Sequence, residues 1–232
     1  MAGGVNILVL SDNDTVCNLA RPIFAKRKCH HFTITNSHDI DPRLDHKHII
    51  DTYELVLSLH CKKIFPPVLV NNVTCINIHP GYSPYNRGMF PHVFSMVNGM
   101  SAGVTIHEMD ETIDLGPWIY RVEVKILDSD TSESLYKRII DVELELLDYC
   151  LDDLIKGNYV KFEHEEKGNY NSMQDYKELC NLNRFEHGDT LTILRALSHN
   201  GHWNAHIGNT YFSLHTHTKN EDNHTHTHTH TG

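Results

Sequence analysis

The 232-residue chain is 40% hydrophobic and 22% charged, a composition that supports a folded protein with a sizeable core. Its formal charge of −10, from 20 basic and 30 acidic residues, disfavours nucleic acid as a partner, and the longest basic run, Lys26-Arg27-Lys28, reads as an exposed helix end. No signal-like leader and no run of 18 apolar residues occurs, and six scattered cysteines without a C-x-x-C pair suit a reduced, cytoplasmic chain with no zinc motif and no membrane partner.

Val5 to Leu10 (VNILVL) is a short continuous apolar run, as in a buried parallel strand. Ser11-Asp12-Asn13-Asp14 reads as a turn with a helix N-cap, and a helix is predicted from about Thr15 to Lys28. His31 to Thr35 alternates as a second strand, Asn36 to Lys47 reads as a loop with a short helix, and Leu55 to Leu59 is a third strand. Phe65-Pro66-Pro67 should break any helix there, before a fourth strand at Cys75 to Ile78. Strands alternating with helices point to an α/β fold with a doubly wound, mostly parallel sheet.

Gly81 to Gly88 is rich in turn formers and Phe90 to Val97 reads as a helix. Ala102 to Met109 and Trp118 to Val124 read as strands around a polar loop, Asp110 to Gly116. From Thr131 to Lys156, apolar residues recur at helical spacing, with Thr131 or Ser132 as N-cap and Gly157 as stop. Residues 1–160 would then form one core. Residues 161–215, with a helix at Asp189 to Leu197 and a strand at Asn209 to His215, form a small α+β segment, too small for its own core and expected to pack on the first unit. Residues 216–232 alternate His with Thr. Histidines can coordinate a metal, but a disordered tail of simple-repeat origin is the reading preferred here.

Asn77 and His79 share one face at the end of a strand, where open parallel sheets bind ligands. An amide that cannot titrate, an imidazole that can, and the carboxylate of Asp114 in the later loop are the parts an acyl transfer needs. Alone, an N-x-H at a strand end is weak, since a lone histidine there is more often structural.

Two longer runs narrow this. INIHPGYSPYNRG (Ile76 to Gly88) and GVTIHEMDETIDLGPWI (Gly103 to Ile119) resemble, in order and spacing, the two signatures of the formyltransferases that use N10-formyltetrahydrofolate. SLHCKKIFP (Ser58 to Pro66), PYNRGMFPHVFS (Pro84 to Ser95) and LRALSHNGHWNAHIGNTYFSL (Leu194 to Leu214) resemble most the members that act on dTDP-linked amino sugars. The resemblance covers about residues 5 to 215 and implies a Rossmann-like core.

What it implies further is a formyl donor, N10-formyltetrahydrofolate, and an acceptor, a dTDP-amino-dideoxyhexose, with no metal required. The first choice of acceptor is dTDP-4-amino-4,6-dideoxyglucose, with 3-amino-3,6-dideoxyhexoses next. Asn77 would hydrogen-bond the formyl oxygen. His79 would stabilise it and protonate the departing nitrogen, and Asp114 would keep His79 charged. Which of His79 and Asp114 takes the amine proton is open. Lys62, Asp110, Thr112 and Ile113 fall on the expected folate-binding backbone, with Leu59, Ile64 and Met109 as apolar walls or as ordinary core. Arg87, Tyr85 and Arg195 are candidates for the diphosphate. Trp203 or Tyr211 could stack on thymine, with Asn204 hydrogen-bonding nearby and Asn13 touching the nucleotide. A homodimer contacted through the C-terminal segment is compatible with the resemblance.

The first strand departs from the glycinamide ribonucleotide formyltransferases: it lacks their Gly-rich loop, and so the nest for a phosphomonoester. Methionyl-tRNA formyltransferase is the nearest rival, but residues 161–213 are short and more acidic than basic. A non-catalytic binding protein with this fold would have lost one of Asn77, His79 and Asp114.

Overall fold

A computed structural model describes residues 4–185, 190–199, 201–202 and 204–214. Its elements run β1 (Asn6–Leu10), α1 (Asp14–Ala25), β2 (His31–Thr35), α2 (His46–Thr52), β3 (Leu55–Leu59), α3 (Pro67–Val70), β4 (Thr74–His79) and β5 (Arg87–Gly88). They continue with α4 (Pro91–Asn98), β6 (Ala102–Glu108), β7 (Trp118–Val124), α5 (Ser132–Lys156), β8 (Tyr170–Asn171), α6 (Met173–Leu179), a 3-10 turn (Leu182–Arg184), α7 (Thr190–Leu197), β9 (Ala205–Ile207) and β10 (Thr210–Phe212).

Six strands make one sheet in the order β2-β1-β3-β4-β6-β7. The first four are mutually parallel, and β6 and β7 are antiparallel to their neighbours. Strand alternation sorts the side chains between two layers. Ile7, Val9, Leu57, Leu59, Ile76 and Ile78 pack under α1 and the C-terminal half of α5. Leu8, Leu10, Val56 and Cys75 face the other way, against Ile49 of α2 and Leu69 of α3.

The helix ends are chemically specified. Asn13 accepts a hydrogen bond from Val16 N to open α1, and Thr131 with Ser134 forms a capping box on α5. Gly157 ends α5 in the left-handed conformation. The Pro-Pro pair opens the one-turn α3 instead of preventing a helix, because a proline at the first helical position lacks only an N–H that would be unpaired anyway. The C-terminal elements share a hydrophobic cluster with the main unit: Ile193, Ala196 and Leu197 of α7 and Leu179 of α6 pack with Val93, Val104, Leu135 and Ile139. Asp189 and residues 216–232 lie outside the described residues. No helix among the described residues is long and apolar enough to cross a membrane.

Candidate active site

β4 is buried over its last five positions and delivers Asn77 and His79 to the face opposite Ile76 and Ile78. β6 runs antiparallel beside it, so His107 stands opposite Asn77 and Thr105 opposite His79. Thr105 Oγ1 donates to Gly81 O at 2.8 Å and accepts from Ser83 N at 3.0 Å, tying the chain down immediately after β4. Gly81 is required there by space: a Cβ would stand 2.3 Å from Nε2 of His79.

The β6–β7 loop then brings Asp114 back over β4. Asn77 Nδ2 donates to Asp114 Oδ1 at 3.0 Å and approaches His107 Nε2 at 3.3 Å. Gly88 N donates to Asp114 Oδ2 at 3.1 Å. His79 Nδ1 lies 3.8 Å from the same oxygen, an electrostatic contact longer than a hydrogen bond. Asp114 has a φ of +52°, His60 +62° and Phe90 +49°, and these left-handed, non-glycine residues all line the same cavity.

That cavity has a volume of about 790 Å³ and opens at the carboxyl ends of β1, β3 and β4. His79 is only 6% exposed, and its Nε2 has no hydrogen-bond partner. Burial pushes His79 below the ordinary histidine value, and the nearby Asp114 carboxylate pulls it up without offsetting this. Burial therefore favours the neutral imidazole, against the expectation that Asp114 keeps it charged. His107 is shifted down for the same first reason. His107 Nδ1 lies 2.9 Å from Glu108 O, so it carries the hydrogen and Nε2 is left to accept from Asn77.

On one side of this group, Lys62, Ile64, Met109, Asp110, Thr112 and Ile113 line the cavity. Ile64 is 65% exposed and Ile113 38%, so apolar surface faces the opening. Asp12 secures this side: it accepts from Lys62 N at 2.7 Å and from Ser37 N and Oγ, each at 2.8 Å. Burial alone would raise the Asp12 carboxyl, but these hydrogen bonds hold it below its usual range.

The other side holds Asn13 and Asn204 together with residues the sequence reading missed: His60, His92, Tyr136, His199 and His202. Asn13 Nδ2 donates to the Tyr136 hydroxyl at 3.2 Å, which lies 3.3 Å from His60 Nδ1. His60 Nε2 reaches the fully buried Glu143 carboxylate at 2.8 Å. Helical spacing had marked α5 as amphipathic, and an acid on its buried face was the available signal for this network.

Leu59, Tyr85, Arg87, Arg195 and Tyr211 are not among the residues that line the cavity. Leu59 is fully buried beneath the sheet, because it shares the face of Leu57. Arg87 donates to Ile113 O and so clamps the Asp114 loop, and Tyr85 donates to Glu166. Arg195 donates to Asp130 O and Leu127 O, both at 2.8 Å. Tyr211 is exposed on the β9–β10 hairpin, away from the cavity. Trp203 lies outside the described residues. No group of three or more potential ligands able to hold a metal ion occurs among the described residues.

Comparison with known proteins fits this geometry. A family profile described as formyl transferase matches residues 2–150. A dTDP-4-amino-4,6-dideoxyglucose formyltransferase of Mycobacterium bovis is 44% identical over 160 residues, 68% of each chain. Among solved structures, a sugar N-formyltransferase from a Shewanella species has 38% identity and a TM-score of 0.87, over 93% of this chain and 99% of that one. A 4-N formyltransferase from Francisella tularensis has 31% identity and a TM-score of 0.85, over 94% of this chain and 100% of that one.

Proposed function

The chain belongs to the formyl transferase family, and we propose that it moves a formyl group from N10-formyltetrahydrofolate to the 4-amine of dTDP-4-amino-4,6-dideoxyglucose. The observation that carries this reading is the convergence of Asn77, His79 and Asp114 at the floor of a two-sided cavity. The sugar N-formyltransferase relatives support the class of acceptor.

The folate supplies the formyl carbon. The chain's fit to it rests on the exposed apolar surface of Ile64 and Ile113 beside the polar Asp110–Thr112 turn, which suits a flat, polar-edged ring. Asp114 beside Nδ1 favours the tautomer with its hydrogen there, leaving Nε2 of His79 as a lone pair facing no protein partner. Nε2 then takes the proton of the attacking amine. Once charged, His79 would be stabilised by Asp114 and would pass that proton from Nε2 to the folate nitrogen as the bond from that nitrogen to the formyl carbon breaks, leaving tetrahydrofolate. Asn77 keeps its 3.0 Å bond to Asp114 and offers its other N–H, now 3.3 Å from His107, to the formyl oxygen. The longer contact is the one that yields.

The test is incubation with N10-formyltetrahydrofolate and a panel of dTDP-4-amino and dTDP-3-amino dideoxyhexoses, with mass spectrometry of the nucleotide sugars. Gain of one formyl group on the 4-amino sugar is expected. Formylation of 3-amino sugars alone would move the assignment to that ring position, and no product from any member would end the acceptor reading.

A further inference from the structure

We propose that the diphosphate of the acceptor is held by the imidazoles of His199 and His202, and that acceptor binding takes up a proton from solution. This rests on the acceptor class proposed above. Its ground is what the acceptor side of the cavity offers a dianion.

Permanent cations are scarce there. Neither Arg195 nor Arg87 is among the lining residues: Arg195 donates to the carbonyls of Asp130 and Leu127, and Arg87 to Ile113 O. Lys62 and Lys63 are the lysines in the lining, and Lys63 is paired with Asp41 at 3.5 Å. The N-termini of α1 and α5, two of those at the opening, are already occupied. At α1, the Asn13 side chain takes Val16 N and Asp14 adds a negative charge. At α5, Glu133 N donates to Ser198 O and Ser134 N to Thr131 Oγ1.

Imidazoles take their place. His92, Tyr136, His199 and His202 form a run of rings leading away from the reaction centre. Ring centroids lie 4.9 Å apart for His92 and Tyr136, 5.9 Å for Tyr136 and His199, and 5.5 Å for His199 and His202. The Ser132 hydroxyl bridges the run, 3.1 Å from His92 Nε2 and 3.4 Å from His199 Nδ1. His92 is deeply buried, with Nδ1 lacking a partner, whereas His199 is half-buried and His202 exposed. The order suits a sugar ring lying over His92 and Tyr136, with the phosphates reaching the outer pair.

The groups facing His199 set its charge. Burial lowers its proton affinity most, His202 lowers it further, and Glu133 opposes both. Tyr136, His92 and, beyond them, His60 complete the surroundings. Near neutral pH this leaves His199 uncharged. A diphosphate within hydrogen-bond reach favours the charged form. Affinity should therefore fall by up to about tenfold per pH unit, for each proton taken up, across the window between the free and bound histidine values.

The decisive experiment is calorimetric titration of the full chain with dTDP at pH 7.5, in two buffers of different ionisation enthalpy. Proton uptake of a sizeable fraction of one per site is expected. A His199→Gln/His202→Gln double variant should lose that uptake and bind dTDP about tenfold or more weakly at pH 6.5, while tetrahydrofolate binding stays unchanged. The exposed His202→Gln variant alone should lose part of the affinity. Tight binding without uptake in the wild type, or affinity lost in Lys62→Gln and retained in the double variant, would overturn the histidine assignment and leave the acceptor class standing. Absence of any dTDP binding would overturn both.

Discussion

The side-chain amide of Asn77 donates to Oδ1 of Asp114 across 3.0 Å, joining a strand to a loop 37 residues later. The second carboxylate oxygen is held by Gly88 N and lies beside His79. Asp114→Asn would turn one accepting oxygen into a donor facing other donors and remove the charge that stabilises a protonated His79. The kcat should fall about 10²- to 10⁴-fold, with dTDP affinity unchanged, as judged by steady-state kinetics and calorimetry. Near wild-type turnover would rule out the proton route through His79.

A methyl group at Gly81 would meet Nε2 of His79 at 2.3 Å. The backbone cannot retreat easily, because Thr105 Oγ1 binds both Gly81 O and Ser83 N. The imidazole must move instead, and displacement of a reacting group by about 1 Å costs on the order of 10² in rate. Gly81→Ala should accordingly lose about that factor in kcat and about 1–3 kcal/mol of stability. Measuring turnover with urea unfolding checks both, and full activity would mean that Nε2 does not act from this position.

Much of this was legible in the residues and some was not, for physical reasons. The bounds of β2, β3 and β7 follow from local apolar patterns, and Asn77, His79 and Asp114 from two contiguous motifs. Helix α6 was missed, although Ser172 and Asp175 form a readable capping box, because seven residues carry little periodicity. Arg87 and Arg195 looked like ligand cations because sequence shows charge and not its partners; both serve backbone carbonyls. His60, Tyr136 and His199 come together through tertiary packing, and Glu143 on the apolar face of α5 is the one local hint of their network.

His107 was read as a strand residue, yet it stands across from Asn77 and accepts from it while donating to Glu108 O. Until the formyl oxygen takes over that N–H, His107 sets the plane of the Asn77 amide. His107→Phe should reduce kcat by roughly 10- to 100-fold with little change in either KM. His107→Gln, whose carbonyl oxygen can still accept, should recover part of the loss. Equal damage from both variants would assign His107 to packing alone.

Stability should carry the imprint of the buried imidazoles. Burial lowers His79, His92 and His107, with His92 pushed down to about 3. Unfolded, each titrates near 6.5, so below that pH the unfolded chain holds more protons than the folded one, and stability falls as pH falls. For His92 the window runs from about 6.5 down to about 3. Between pH 6.5 and pH 5 that residue alone should cost about 2 kcal/mol. Carboxylates with lowered values, such as Asp12, add their loss only in more acid solution. Urea unfolding at pH 6.5 and pH 5 should show this drop in the wild type and a smaller one in His92→Asn. A wild-type stability that is flat or rises towards pH 5 would mean that the buried histidines are charged in the folded protein.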